Sequence, residues 1–352
     1  MMNSIVLTKN ATLHLQCLPL KTPDIDEVQV KLKAVGICSS DIYRAYDNGA
    51  YFYPLIMGHE MSGEIVASGE HSNSYSNGDR VAIFPLLPCF HCESCLDERY
   101  AQCNSYKYYG SRNHGGYSQY LNVKEWNLMK IPSSVSWANA AAIEPIATVI
   151  HALNKIDKKD KKKLCILGAG FLGLIAAKYL KFICPEFKVS IFDRNSLKLE
   201  LAKKYCDEVF LCQKEEDWQN IIQPQLDSYP LVLEACGAPE TFSHSLSLAA
   251  RKGKVIWMGN INSDLTLNKK LVSSILRKEL NIIGVWNSEY KGNSPSDWTT
   301  ALMALQNGFS IEEFITENIS IFDVPQKIEG LYNNKIKKQK LDVIKYMITE
   351  FA

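Results

Sequence analysis

Four cysteines stand close together in the first third of the chain. Cys89, Cys92, Cys95 and Cys103 read C-x2-C-x2-C-x7-C. Four thiolates at that spacing can surround one tetrahedral Zn2+, and a closed shell of four sulfurs leaves no open position for chemistry. The set therefore predicts a structural ion that fixes a loop. An iron–sulfur cluster is the weaker rival. His91 lies inside the run and is expected to face solvent, because four sulfurs already complete a shell.

Other candidate ligands lie further apart. Cys38 sits in Gly36-Ile37-Cys38-Ser39-Ser40-Asp41, His59 and Glu60 follow Gly58, and Glu144 sits in Ile143-Glu144-Pro145. Each alone is an ordinary core or surface residue. Together they offer the sulfur, nitrogen and oxygen donors that a catalytic zinc accepts, with one position left for water or a substrate hydroxyl.

A third pattern handles phosphate. The apolar run 164–167 leads into Gly168-Ala169-Gly170-Phe171-Leu172-Gly173, and an apolar helical face continues to Ile183. This is G-x-G-x-x-G between a strand and a helix, the setting in which a backbone can approach a pyrophosphate. The N–H groups at the helix start then face the anion. Asp193 ends the next apolar run, at the distance where an acid meets the adenosine ribose hydroxyls and repels a 2′-phosphate. NAD is therefore expected. Arg194 keeps NADP open, since its guanidinium can pair with a 2′-phosphate. Cys236 and Gly259 end later apolar runs and are expected to line the cofactor. Trp286 is expected either beside the nicotinamide or as a core or interface tryptophan.

These residues need two different supports. The chain has 352 residues, 46% of them hydrophobic, which suits two packed domains. Residues 1–150 are β-rich, with period-two alternation at 28–32. Residues 151–287 alternate short apolar runs (164–167, 189–192, 209–211, 231–233, 255–258, 281–285) with amphipathic segments, which predicts a parallel sheet with crossover helices. Residues 155–163 are a charged, solvated hinge. Residues 288–352 carry a helix near 297–307 and apolar runs at 319–322 and 341–346, and are expected to complete the first domain. Lys plus Arg is 39 against 38 for Asp plus Glu, so no bulk charge attracts nucleic acid or an anionic membrane. No signal-like or spanning apolar segment is visible, and the cytoplasm is the expected compartment. Of the 11 cysteines, the scattered Cys17, Cys165, Cys184, Cys206, Cys212 and Cys236 mostly read as small buried hydrophobes.

In the order and spacing of residues 36–41, 58–60, 89–103 and 168–173 the chain resembles the zinc-containing medium-chain dehydrogenase family. The polyol branch is closest, through residues 48–50, 53–54, 85–89, 110–112, 143–146 and 275–280. The resemblance implies an α/β architecture: a GroES-like β-rich catalytic domain plus a Rossmann domain with a doubly wound parallel sheet. It implies two zincs per chain, one structural and one catalytic at Cys38, His59 and a carboxylate. Glu144 stands where simple alcohol dehydrogenases carry cysteine and is the preferred ligand. Glu60 is kept as a direct ligand or one acting through water. Ser40 matches the residue that relays the hydroxyl proton, and Tyr43 stands where many members have a histidine on the exit path.

The expected reaction moves hydride between a sugar alcohol and NAD+, with zinc lowering the pKa of the substrate hydroxyl. The branch implies a phosphorylated, galactitol-phosphate-like substrate, for which Arg44 and Arg112 are the candidate phosphate partners. Within enzymology the alternatives are a pentulose-phosphate reductase and a sorbitol-type dehydrogenase of unphosphorylated polyols. Outside it stands a zinc-stabilised binding or regulatory protein. A homodimer or homotetramer is expected from the family.

Overall fold

The computed structural model describes the chain except residues 48, 73, 158–161, 293, 338–341 and 352. The middle of the charged run, Asn48 and Leu341 thus lie outside the described residues. The chain divides into two compact units, Met1–Ala147 with Ser288–Ala352, and Thr148–Asn287. The first boundary falls within helix Ile143–Leu153.

The first unit is built on a mixed sheet. Its long strand Glu27–Gly36 pairs antiparallel with Glu60–Ser68 on one side. On its other side it pairs with Tyr120–Lys124 and then with the C-terminal strand Tyr346–Glu350. Strand Glu317–Ser320 adds in parallel to the last of these. The alternation seen at 28–32 follows from the pleat, since period-two side chains face opposite sides. Val28, Val30 and Leu32 are buried and Lys31 is exposed, but Gln29 breaks the alternation: it is buried, donating to the Lys21 carbonyl and to Asn122 Oδ1.

The register here places chemistry. Gly36 pairs with Glu60 on one side and with Met347 on the other. Residues far apart in sequence therefore flank one glycine. A Cβ at Gly36 would run into Glu60 Oε2, so the missing side chain is what admits that carboxylate.

The second unit is a parallel sheet of six strands. Their order is Glu208–Leu211, Lys188–Asp193, Lys163–Leu167, Tyr229–Glu234, Ala249–Trp257 and Asn281–Gly284. Leu164, Cys165, Ile166 and Leu167 are all fully buried, as a central strand covered on both faces requires. Sequence order reverses between Lys163–Leu167 and Tyr229–Glu234, the switch point where such sheets bind ligands at their carboxyl ends. This is the expected GroES-like plus Rossmann α/β architecture. Among the described residues no helix is long and apolar enough to cross a membrane.

Candidate active site and cofactor loop

Helix Ser39–Tyr46 begins immediately after Cys38, and its first turn organises the site. The Cys38 N–H donates to Asp41 Oδ2 at 3.1 Å, satisfying a donor that the helix start leaves free. Asp41 is fully buried. Its carboxylate also accepts from the Tyr117 hydroxyl at 2.8 Å and from Arg44 Nη1 at 3.0 Å, and lies 3.5 Å from His59 Nδ1. Burial works to raise the Asp41 pKa, but His59, Arg44 and Tyr117 outweigh it and hold it at about 2. Burial likewise disfavours charge on His59, yet Asp41 and the Cys38 sulfur raise its pKa well above the ordinary value. A histidine whose Nδ1 faces a buried carboxylate presents Nε2 outward, the arrangement that orients a metal ligand.

Cys38, His59 and Glu60 each bring one donor atom into a set spanning no more than 4.8 Å. Glu60 is buried and paired with Lys345, whose Nζ reaches Oε1 at 2.6 Å, contacts Oε2, and donates to the Ile37 carbonyl at 3.0 Å. Glu144 is outside the tight set but lies near enough to His59 and Glu60 to act on them electrostatically. Its Oε1 accepts from the Tyr108 hydroxyl at 3.2 Å. Burial lifts its pKa to about 7, with Glu60 adding to the rise and His59 opposing it. Cys38, His59 and Glu60 bring sulfur, nitrogen and oxygen donors together, with the partly buried Glu144 nearby, and this donor set fits a zinc ion. Ser40, half-buried, lies on the first turn beside Cys38.

Asp41, Tyr117, Tyr108 and Lys345 were not singled out from sequence. Asp41 carried a readable signal, three residues after Cys38 at a helix start. Lys345 carried none, since only the sheet register brings it to Glu60. Of the two arginines, Arg44 is taken up by Asp41, while Arg112 is held between the Tyr51 and Tyr106 rings. Tyr43 lies under Lys335, whose Nζ is 3.2 Å from its ring centre.

The four-cysteine loop gathers as its spacing predicts. The sulfurs of Cys89, Cys92, Cys95 and Cys103 all lie within 4.8 Å of one another. The Cys89 N–H donates to Cys103 Sγ at 3.3 Å, and the Cys92 N–H to Cys89 Sγ at 3.4 Å. The N–H of His91 is the main cause holding the Cys89 thiol down at about 5, which favours the thiolate a metal binds. His91 is exposed. Phe90 and Tyr100 meet the Trp126 ring at 4.9 and 5.3 Å, which docks the loop on its own unit.

In the second unit, Gly170 caps helix Phe171–Ile183. A Cβ at Gly173 would strike the Gly168 carbonyl oxygen, so helix and strand approach closely only through glycine. No atom lies within 4 Å of where a Cβ on Gly170 would stand, which leaves room for a phosphate against the free N–H groups. Phe171 and Leu172 begin the helix. Asp193 Oδ2 accepts from the Ala169 N–H at 2.7 Å and Oδ1 from Asn195 at 2.8 Å, which fixes the acid beside the glycine turn. Asn195, not Asp193, caps the following helix. Arg194 is exposed. Cys236 and Gly259 both meet Glu234: the Cys236 N–H donates to Oε1 at 2.9 Å, and the Gly259 N–H to the Glu234 carbonyl at 3.0 Å. Trp286 is half exposed, two residues past strand Asn281–Gly284.

A GroES-like unit with two zinc donor sets, together with a Rossmann unit carrying an open glycine turn, defines a class. Residues 24–133 match the alcohol dehydrogenase GroES-like domain and residues 172–307 the zinc-binding dehydrogenase family. The chain belongs to the zinc-type medium-chain alcohol/polyol dehydrogenases, which use zinc and NAD(P). It is 34% identical to galactitol 1-phosphate 5-dehydrogenase of Escherichia coli K12 over 317 residues, 88% of this chain and 90% of that one. It is 29% identical to D-arabitol-phosphate dehydrogenase of Enterococcus avium, covering 89% of each. Sorbitol dehydrogenase of Halalkalibacterium halodurans is 28% identical, over 86% of this chain and 88% of that one. The crystal structure of the E. coli galactitol-1-phosphate dehydrogenase superposes with a TM-score of 0.86 at 31% identity, covering 99% of both chains. A dehydrogenase from E. coli CFT073 complexed with NADH gives 0.85 at 26% identity, also over 99% of both.

Proposed function

We propose that this chain oxidises a hydroxyl-bearing carbon of a sugar-alcohol phosphate, similar to galactitol 1-phosphate, with NAD+ as acceptor. The observation that carries the reading is the convergence of Cys38, His59 and Glu60 within 4.8 Å, with Glu144 near enough to act electrostatically on His59 and Glu60. A binding or regulatory protein stabilised by the four-cysteine loop has no use for this second donor set.

Zinc bound there supplies a Lewis acid, and the nicotinamide a hydride acceptor. The chain's residues do the rest. Cys38 Sγ and His59 Nε2 would hold the ion with one carboxylate. Glu60 would be that carboxylate, supported by its convergence with Cys38 and His59, and Glu144, the ligand preferred from sequence, is the alternative, supported by its place against Tyr108. Asp41 fixes the imidazole, and Arg44 balances Asp41. Lys345 limits where Glu60 can swing. Ser40 Oγ takes the hydroxyl proton and passes it outward. Asp193, set beside the glycine turn, supports NAD over NADP.

Initial rates with galactitol 1-phosphate, D-arabitol phosphate, galactitol and sorbitol, each with NAD+ and NADP+, test this. The expected result is highest kcat/KM for a phosphorylated polyol with NAD+. Preference for sorbitol would favour the unphosphorylated alternative. Faster reduction of a pentulose phosphate would favour the reductase.

A further inference from the structure

Arg112 lies in the turn after strand Lys107–Tyr108. Its guanidinium carbon is 4.2 Å from the centre of the Tyr51 ring and 4.1 Å from that of Tyr106. Nη2 also donates to the Tyr51 hydroxyl at 3.0 Å. Among the described residues no carboxylate pairs with it. Arg44 is the contrast, for its charge is already answered by Asp41 at 3.0 Å.

A guanidinium packed against two rings and hydrogen-bonded to one of them has its orientation restricted. Its remaining donors lie in the plane, at the edge, where they suit two oxygens of one anion. Holding the fork in place in advance also reduces the entropy lost on binding. The clamp connects to the donor set through rings of the same unit. Tyr106 lies 6.4 Å from Tyr108, and Tyr108 lies 5.9 Å from His59 and donates to Glu144.

We propose that Arg112, clamped between Tyr51 and Tyr106, binds the phosphoryl group of a polyol monophosphate whose carbinol reacts at the Cys38–His59 site, and that Arg44 does not. The proposal rests on the polyol-phosphate reading above. Tyr51 and Tyr106 are positioning residues, acting through the arginine they hold.

The test is the ratio of kcat/KM for galactitol 1-phosphate to that for galactitol, in wild type, Arg112→Gln and Arg112→Lys. A lost charge-assisted contact corresponds to a fall of about 10–100-fold in that ratio for Arg112→Gln, carried by KM. Arg112→Lys keeps the charge without the fork and should fall between. Tyr106→Phe keeps the ring and should hold the wild-type ratio, whereas Tyr106→Leu should lower it. A wild type that prefers the phosphate, with both Arg112 variants retaining that preference, overturns the Arg112 assignment and leaves the functional reading standing. A wild type indifferent to phosphate overturns both.

Discussion

The residue with the most dependants is Asp41. One buried carboxylate receives the Cys38 N–H, the Tyr117 hydroxyl and Arg44, and faces His59 Nδ1. Asp41→Asn keeps the shape and removes the charge that opposes Arg44 and steadies the imidazole. We expect kcat/KM to fall about 10–100-fold, as when a ligand's supporting carboxylate is lost. Stability should drop by about 1–3 kcal/mol, because the partly buried Arg44 and the Cys38 and Tyr117 donors lose the charge they meet. Steady-state kinetics and denaturation midpoints measure the two effects, and an unchanged kcat/KM would deny Asp41 its role. At this scale the sequence was legible where chemistry follows local spacing, as with the cysteine loop, and where the family resemblance picked out Cys38 and His59. It was silent on Lys345, which meets Glu60 only because Met347 and Glu60 both pair with Gly36.

At the scale of elements, the parallel sheet was readable because buried strands are continuous apolar runs. Runs 164–167, 189–192 and 231–233 all fall inside strands. The first unit was harder, because its sheet closes with Tyr346–Glu350, more than three hundred residues after the strand it joins. Helix Pro239–Leu248 carries a feature that no pattern disclosed. His244 stacks on Trp218 at 4.3 Å, and burial pushes its imidazole down to about 4. The unfolded chain takes up this proton near pH 6.5, the folded chain only near 4, so stability is lost as pH falls through that window. The loss should reach about 2–3 kcal/mol. His244→Phe keeps a stacking ring and removes the titration. Its melting temperature should fall less than that of the wild type between pH 7 and 4.5, whereas parallel curves would exclude the effect.

For the molecule as a whole, the account divides zinc between two tasks. Cys89, Cys92, Cys95 and Cys103 would close around one ion that steadies a loop on Trp126, while Cys38, His59 and a carboxylate would leave a position open for the substrate. Both donor sets lie in the first unit, and the glycine turn lies in the second. That division was visible from sequence, since each motif falls wholly within one unit. Which glutamate joins Cys38 and His59 was not, because Glu60 and Glu144 both lie near His59, on different elements. The most direct test is the zinc content per chain of purified wild type and Cys38→Ser. The account predicts two zincs in the wild type and one in the variant, with oxidation of every polyol lost in the variant. One zinc in the wild type, or two in a fully active variant, would contradict it.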